Sequence, residues 1–245
     1  MEPIYEQTFP ITDACVDRYG RLKPSMILFF SQVVTGQLCK ELSVGHEILE
    51  AQRLFWAVTR HRVQITRLPH IGVTIRLETW PMPTTRVAYP RSVVAYDEAG
   101  NEVFRSVSVY VLVNLDTRNM ILPGKSGIVV SGTLRGDELA LPRSLHPARM
   151  QRQRSRTVRF PDLDRNGHMN NTRYLDWVGD LIPSSFHCDH PVKEFTVCYH
   201  SEALEEQEIN LNWTFLDGPS IQVEGLREMP DGAENHVFTC QVLFD

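Results

Sequence analysis

The chain has 245 residues, of which 42% are hydrophobic, and this suits one large domain or two domains of about 100 residues. Its formal net charge of -5 excludes the global basic excess typical of nucleic-acid-binding proteins, so an anionic partner would need a local basic patch. The five cysteines lack C-x-x-C spacing, and no segment resembles a signal peptide or a membrane span. We therefore expect a reduced, cytoplasmic protein.

The first half of the chain predicts one helix followed by four strands. The helix begins in RYGRLKPSMILFF at residues 18–30, where Ile27, Phe30 and Val34 recur at helical spacing. The segments that follow are rich in β-branched and aromatic residues that alternate with a period of two, which predicts strands. These segments are residues 54–65, 72–80, 86–96 and 102–115, with a turn at Asp97–Gly100 before the last one.

Residues 123–150 interrupt this pattern with prolines and glycines, which predicts a linker. A basic run follows, and its arginines are Arg149, Arg152, Arg154, Arg156 and Arg159. Such a run can steer an acidic protein partner to the surface. It can equally be a solvated stretch that enters an edge strand, where positive charge discourages aggregation. From the sequence we favour the second interpretation.

The second half repeats the first. RNGHMNNTRYLDW at residues 165–177 aligns with residues 18–30 at an offset of 147 and leads into a second helical pattern that runs to Leu181. Strands are then predicted at residues 192–200, 208–216, 220–226 and 236–244, with a turn at 230–232. The sequence thus predicts an α+β protein of two tandem units, each a long helix wrapped by a curved antiparallel sheet, packed as an internal pseudo-dimer. We assign residues 1–122 to the first unit, 123–150 to the linker and 151–245 to the second.

The polar stretch DRNGHMNNTRYLDW at residues 164–177 resembles the motif of acyl-acyl carrier protein (acyl-ACP) thioesterases of the double hotdog type. Two stretches in the first half, FWAVTRHRVQITRLP and ETWPMPTTRVAYPRS, are similar to first-domain strands of that family. The resemblance implies two hotdog units and hydrolysis of fatty acyl-ACP to a free fatty acid, with no metal or organic cofactor. No grouping of histidine, cysteine and aspartate has zinc-site spacing either.

The resemblance also implies four catalytic residues: Asp164, Asn166 and His168 from the motif, and Glu202 from YHSEA at 199–203. The chain departs from the family pattern at His200 and Ser201, which replace two basic residues, and at Ala203, which replaces a cysteine. These departures put a nucleophilic cysteine in doubt and leave Glu202 as the better candidate.

These residue types suit thioester hydrolysis. Backbone N–H groups at the helix entry, near residues 170–172, could stabilise the oxyanion. His168 or Glu202 could accept the proton of water, and Asn166 could hold a carbonyl or a water without ionising. Asp164 could orient its neighbours or attack the carbonyl itself.

The repeat separates the two units by their chemistry. Tyr19 stands opposite Asn166, Arg21 opposite His168 and, at an offset of 134, Leu68 opposite Glu202. We therefore predict a catalytic second unit and a non-catalytic first unit that selects the acyl chain. The hypothesis is that the segment from Leu54 to Trp56 sets the chain length.

Other interpretations remain open. The polar loop could be only a helix cap, and Glu202 only a surface charge in the acidic run SEALEEQE. The substrate could be an acyl-CoA instead of acyl-ACP, or the chain could be a hotdog dehydratase or an acyl-binding module without turnover. The expected partner is an acyl carrier protein, with a homodimer as one option and with neither nucleic acid nor a membrane.

Overall fold

The computed structural model describes residues 3–136 and 138–245. Contacts within the chain divide it into two units, Met1–Pro142 and Arg143–Asp245. Each unit packs helix against one face of an antiparallel sheet, which confirms the predicted α+β class with two tandem units. None of the described helices is both long and apolar enough to cross a membrane.

The first unit is built around one long helix. Pro24 begins this helix at a position where the missing N–H costs nothing, and Ile27, Leu28 and Val34 are fully buried along its length. The strands run antiparallel in the order β1-β3-β4-β5-β2, with β6 added to β5. The elements are β1 (Tyr5–Pro10), α1 (Pro24–Glu41), α2 (His46–Ala51), β2 (Leu54–Ile65), β3 (Thr74–Pro81), β4 (Tyr89–Tyr96), β5 (Glu102–Asn114), β6 (Met120–Ile121) and α3 (Pro123–Ser126).

The second unit repeats this order with β7-β9-β10-β11-β8. Its core contains four large aromatic side chains that are almost completely buried: Trp177, Phe195, Phe238 and Phe244. The elements are β7 (Arg152–Thr157), α4 (Arg173–Gly179), α5 (Ser184–Asp189), β8 (Val192–Tyr199), β9 (Glu208–Leu216), β10 (Ser220–Glu228) and β11 (Glu234–Phe244).

All eight predicted strands are present, and the two hairpin turns lie where they were predicted. Gly100 and Gly232 occupy these turns with φ angles of 83° and 79°, in the left-handed region that favours glycine. The sequence did not predict β1, whose sequence YEQTFP lacks the apolar alternation of a strand. Strand β7, RQRSRT, lies in the basic run that was interpreted as a stretch entering an edge strand. Each of them is the edge strand of its unit and pairs with β3 or β9.

The prediction of a long second helix is wrong. Helix α4 spans only Arg173–Gly179, whereas α1 has 18 residues. The chain leaves α4 through tight turns in which Leu181 and Ile182 donate to the carbonyls three residues earlier. Pro183 then has no N–H to donate and disfavours a helical conformation at Ile182, so the helix cannot continue through Pro183.

Candidate active site

The polar loop at residues 163–169 is a closed turn. Leu163 and Met169 form an antiparallel bridge, and the Asp164 N–H donates to the His168 carbonyl at 2.8 Å. Gly167 takes a φ of 76° at the tip and donates its N–H to the Asp164 carbonyl at 3.0 Å. The loop is therefore held by its own backbone, and its side chains project from a fixed frame.

The carboxylate of Asp164 is directed into this loop. Its Oδ1 accepts the backbone N–H of Asn166 at 2.7 Å and the backbone N–H of His168 at 3.4 Å. Its Oδ2 lies 3.4 Å from the Asn166 side-chain nitrogen. An aspartate that accepts N–H groups two residues ahead stabilises a turn, so these contacts give Asp164 a positioning role.

His168 and Glu202 come together although they are far apart in the sequence. The Met169 N–H donates to the Ala203 carbonyl at 2.8 Å, and His168 forms a bridge with Leu204. These backbone contacts leave His168 Nε2 3.4 Å from Glu202 Oε2. The side chain of His168 is 20% exposed and that of Glu202 is 44% exposed. The pair is thus open to a substrate.

Tyr174 is a buried residue on the first turn of α4. Its ring contacts those of Tyr199 and Phe238, with centroids 5.3 and 4.8 Å apart. Burial raises the pKa of Tyr174; the Arg227 guanidinium lowers it, and the Glu202 and Asp164 carboxylates raise it further. The phenol therefore stays neutral, and both carboxylates act on this one buried group.

Two further residues support the site, and the sequence did not single them out. The Tyr199 hydroxyl donates to the Asn171 carbonyl at 2.8 Å, which ties the end of β8 to the entry of α4. Arg227 on β10 donates from Nη1 to the Glu202 carbonyl at 3.1 Å. Tyr199 was visible as a neighbour of Glu202, but Arg227 comes from a distant strand without a motif.

The predicted oxyanion donors at the helix entry are wrong for Asn170 and Thr172. The Asn170 N–H donates to the Asp162 carbonyl at 2.8 Å, and the Thr172 N–H donates to the Asn170 side chain at 3.0 Å. The Arg173 N–H is also used, by the Asn170 carbonyl. These three N–H groups hold the helix entry in place, so they do not serve as donors to a substrate carbonyl.

The first unit contains the same frame without the same side chains. A bridge joins Val16 and Leu22, Gly20 has a φ of 74°, and Leu22 donates to the Pro69 carbonyl at 2.8 Å. Each of these features has its equivalent 147 or 134 residues later. The structural repeat therefore puts Arg21 in the place of His168, as the sequence predicted.

Asp164, however, has a counterpart, which the comparison of the two copies missed. Asp17 lies 147 residues earlier, and its Oδ1 accepts the N–H groups of Tyr19 and Arg21 at 2.8 and 3.0 Å. The same aspartate thus holds the same turn in both units. Of the four predicted catalytic residues, Asn166, His168 and Glu202 are the three that differ from their counterparts in the first unit.

The described residues contain no cluster of three or more histidine, cysteine, aspartate or glutamate side chains that could hold a metal ion. The site therefore consists of a histidine–carboxylate pair, an exposed amide and a fixed turn.

Two tandem units of this kind, with one polar loop at the start of the second helix, define a double hotdog protein. Models of the acyl-ACP thioesterase N-terminal and C-terminal domains match residues 2–122 and 145–236. The chain belongs to the acyl-ACP thioesterase family.

Several plant proteins are similar in sequence. A chloroplastic dodecanoyl-ACP hydrolase of Cinnamomum camphora is 26% identical over 193 residues, covering 74% of this chain and 50% of that protein. A chloroplastic oleoyl-ACP thioesterase of Coriandrum sativum is 28% identical over 177 residues, covering 64% and 46%. The chain spans about half the length of the curated relatives it matches.

Solved structures show the fold. An acyl-ACP thioesterase from Bacteroides thetaiotaomicron superposes with a TM-score of 0.84 at 22% identity, covering 99% of this chain and 98% of that one. The 12:0-ACP thioesterase from Umbellularia californica gives a TM-score of 0.83 at 22% identity, covering 100% and 98%.

Replacing Asp164 and Asp17 tests the role of the shared aspartate. Asp164→Ala and Asp17→Ala should each lower the free energy of unfolding by about 1 kcal/mol, because each removes the acceptor of two backbone N–H groups. Asp164→Asn keeps an oxygen acceptor and should retain thioester hydrolysis within about tenfold of the wild type. Urea unfolding and steady-state kinetics measure the two effects. A loss of several orders of magnitude in Asp164→Asn would instead identify Asp164 as the nucleophile.

Proposed function

We propose that this protein hydrolyses the thioester of fatty acyl-ACP and releases a free fatty acid and the carrier protein. The match of both family domains supports this substrate class. The observation that carries the proposal is the His168–Glu202 pair, 3.4 Å apart on a frame whose counterpart in the first unit has Arg21 and Leu68. We also propose a reducing compartment such as the cytoplasm, which the absence of disulfides among the five cysteines supports.

In the proposed mechanism His168 is the general base. It accepts a proton from water as the water oxygen attacks the carbonyl carbon, and the adjacent Glu202 carboxylate stabilises the resulting imidazolium. The tetrahedral intermediate collapses with cleavage of the carbon–sulfur bond. His168 then returns the proton to the departing sulfur, so that the carrier leaves as a thiol and the histidine is neutral again.

Asn166 is the proposed donor to the carbonyl oxygen. Its side chain is exposed, and the contact with Asp164 at 3.4 Å uses at most one of its two N–H groups. An amide does not ionise, so it supports the oxyanion without competing for the proton of water. Asp164 has the positioning role described above, which favours water over a carboxylate as the nucleophile.

Hydrolysis assays with His168→Ala test this function. The wild type should release fatty acid from acyl-ACP, and His168→Ala should lower kcat/KM by about 10²- to 10⁴-fold because the general base is lost. His200→Ala is the matched control. His200 is an exposed histidine directly after strand β8, and its Nε2 lies 3.1 Å from the Thr239 hydroxyl, so this variant should keep wild-type activity.

The assay should include acyl-CoA with the same acyl group. Hydrolysis of acyl-CoA without hydrolysis of acyl-ACP contradicts the proposed carrier. Near-wild-type rates from His168→Ala contradict the proposed site.

We further propose that the first unit, residues 1–122, selects the acyl chain, while the unit that begins at residue 151 carries the catalysis. Leu54 is buried, and the Trp56 indole N–H donates to the Val44 carbonyl at 2.9 Å. The Trp56 ring also packs against Tyr89, with centroids 4.9 Å apart. These contacts hold the large Trp56 side chain in place. A fixed side chain of this size supports the proposal that Trp56 sterically limits the length of the acyl chain.

A chain-length series tests this assignment. Trp56→Ala should shift hydrolysis towards longer acyl chains, because it removes the largest side chain of the segment from 54 to 56. Phe55→Ala is the control, since consecutive residues of a strand face opposite sides of the sheet and Phe55 lies beneath Arg118. An unchanged length profile in Trp56→Ala would exclude this segment as the limit.

A further inference from the structure

Edge strand β7 presents three arginines on one face, Arg152, Arg154 and Arg156, because alternate residues of a strand point to the same side. We call these three side chains the arginine face. The Arg156 guanidinium lies 4.8 Å from the Trp177 ring, and that of Arg152 lies 5.8 Å from the Phe215 ring. A pocket of about 300 Å³ opens beside them, lined by Arg154, Ser155, Arg156, Trp177, Asp180, Leu181 and Leu211.

The first unit shows what such a strand does when it is purely structural. In β1 the equivalent positions, 147 residues earlier, hold Tyr5, Gln7 and Phe9. Phe9 is buried and stacks on Phe30 with ring centroids 4.6 Å apart. The first unit therefore uses this face for packing beneath its helix.

The second unit replaces that packing with exposed cations. Arg156 lies over Trp177 where Phe9 stacks on Phe30, and Arg152 and Arg154 are exposed. Helix α4 is shorter than α1, with seven residues against 18, so the face is left uncovered. Charged residues thus occupy positions equivalent to those that pack in the first unit, and the helix beside them is shorter. These two features indicate a surface to which a partner protein binds.

Arg152 and Arg154 carry charge that the rest of the described chain does not compensate. Arg156 pairs with Asp180, and Arg159 pairs with Glu206 at 2.8 Å. Among the described residues, neither Arg152 nor Arg154 has a carboxylate within salt-bridge distance. In a chain of net charge -5, two exposed guanidinium groups, of which that of Arg152 lies over the partly exposed Phe215, favour an acidic protein surface.

The arginine face lies close to the candidate active site. Trp177 at this face and Tyr174 belong to the same helix, about 4.5 Å apart along its axis, and the Tyr174 ring contacts Tyr199, three residues before Glu202. A single 3-10 turn, Phe160–Asp162, separates strand β7 from the loop at residues 163–169. A partner on this face is therefore within reach of the catalytic residues.

We propose that the arginine face docks the acidic surface of the acyl carrier protein, a partner whose identity rests on the proposed function. Guanidinium groups form forked hydrogen bonds to carboxylates, and Phe215 adds an apolar contact beside them. The competing occupant is a second copy of this chain paired along the edge strand, and the experiment separates the two.

The test is the double reversal Arg152→Glu and Arg154→Glu. It should raise KM for acyl-ACP by at least about tenfold with kcat within about twofold, because docking charges act before the chemical step. Hydrolysis of the acyl-pantetheine thioester, which lacks the carrier, should be unchanged. Binding of the unacylated carrier, titrated directly, should weaken by a similar factor.

Arg86→Glu with Lys125→Glu is the matched control, since both residues are exposed in the structural unit Met1–Pro142 and the charge change is the same. An equal rise in KM for acyl-ACP in the control variant overturns the proposal. So does an equal loss of kcat/KM for acyl-ACP and for the acyl-pantetheine thioester in the double reversal. Light scattering on the protein without carrier compares the wild type with the double reversal. A lower molecular mass of the double reversal overturns the proposal in favour of self-association. Wild-type protein that binds the carrier but hydrolyses no thioester refutes the proposed function while the docking surface stands.

Discussion

Two backbone contacts hold the candidate site together. The Met169 N–H donates to the Ala203 carbonyl, and His168 bridges Leu204 on the segment after β8. Because these are main-chain contacts, they form whichever side chains project from the two segments. The side chains of His168 and Glu202 then meet at 3.4 Å without any direct pairing being needed to fold the loop.

The first unit demonstrates that this frame is independent of the chemistry. Leu22 donates to the Pro69 carbonyl and Asp17 holds the turn, yet the positions that project are filled by Tyr19 and Arg21. A repeated frame with one polar set is the arrangement expected when a duplicated unit divides its roles. The same contrast applies to the edge strands, where Phe9 packs in the first unit and Arg152 and Arg154 are exposed in the second.

Much of the fold could be predicted from the sequence because the eight inner strands alternate apolar residues. Strand β1 could not, since Phe9 is its one buried residue and pairing with β3 orders the rest of the strand. For β7 the basic run indicated an edge strand but did not give its bounds. The length of the second helix was overestimated because helical spacing continued to Leu181 although Pro183 follows closely.

The candidate site was predicted in part. The cluster of Asp164, Asn166 and His168 was visible as a motif, but Glu202 was reached through the family resemblance, since no spacing in the chain connects it to His168. The hydrogen bonds that occupy the N–H groups of Asn170 and Thr172 depend on how the loop folds, so the predicted oxyanion donors were wrong there. Arg227 was missed for the same reason. It lies on β10, and only the folded sheet brings its guanidinium to the Glu202 carbonyl.

The measurement that tests the central claim most directly is a double-mutant cycle on His168 and Glu202, with kcat/KM for acyl-ACP as the readout. If the two residues act as one pair, each alanine variant loses activity and the double variant is within about threefold of His168→Ala. Losses that multiply in the double variant would show that the two residues act independently, and would contradict the account.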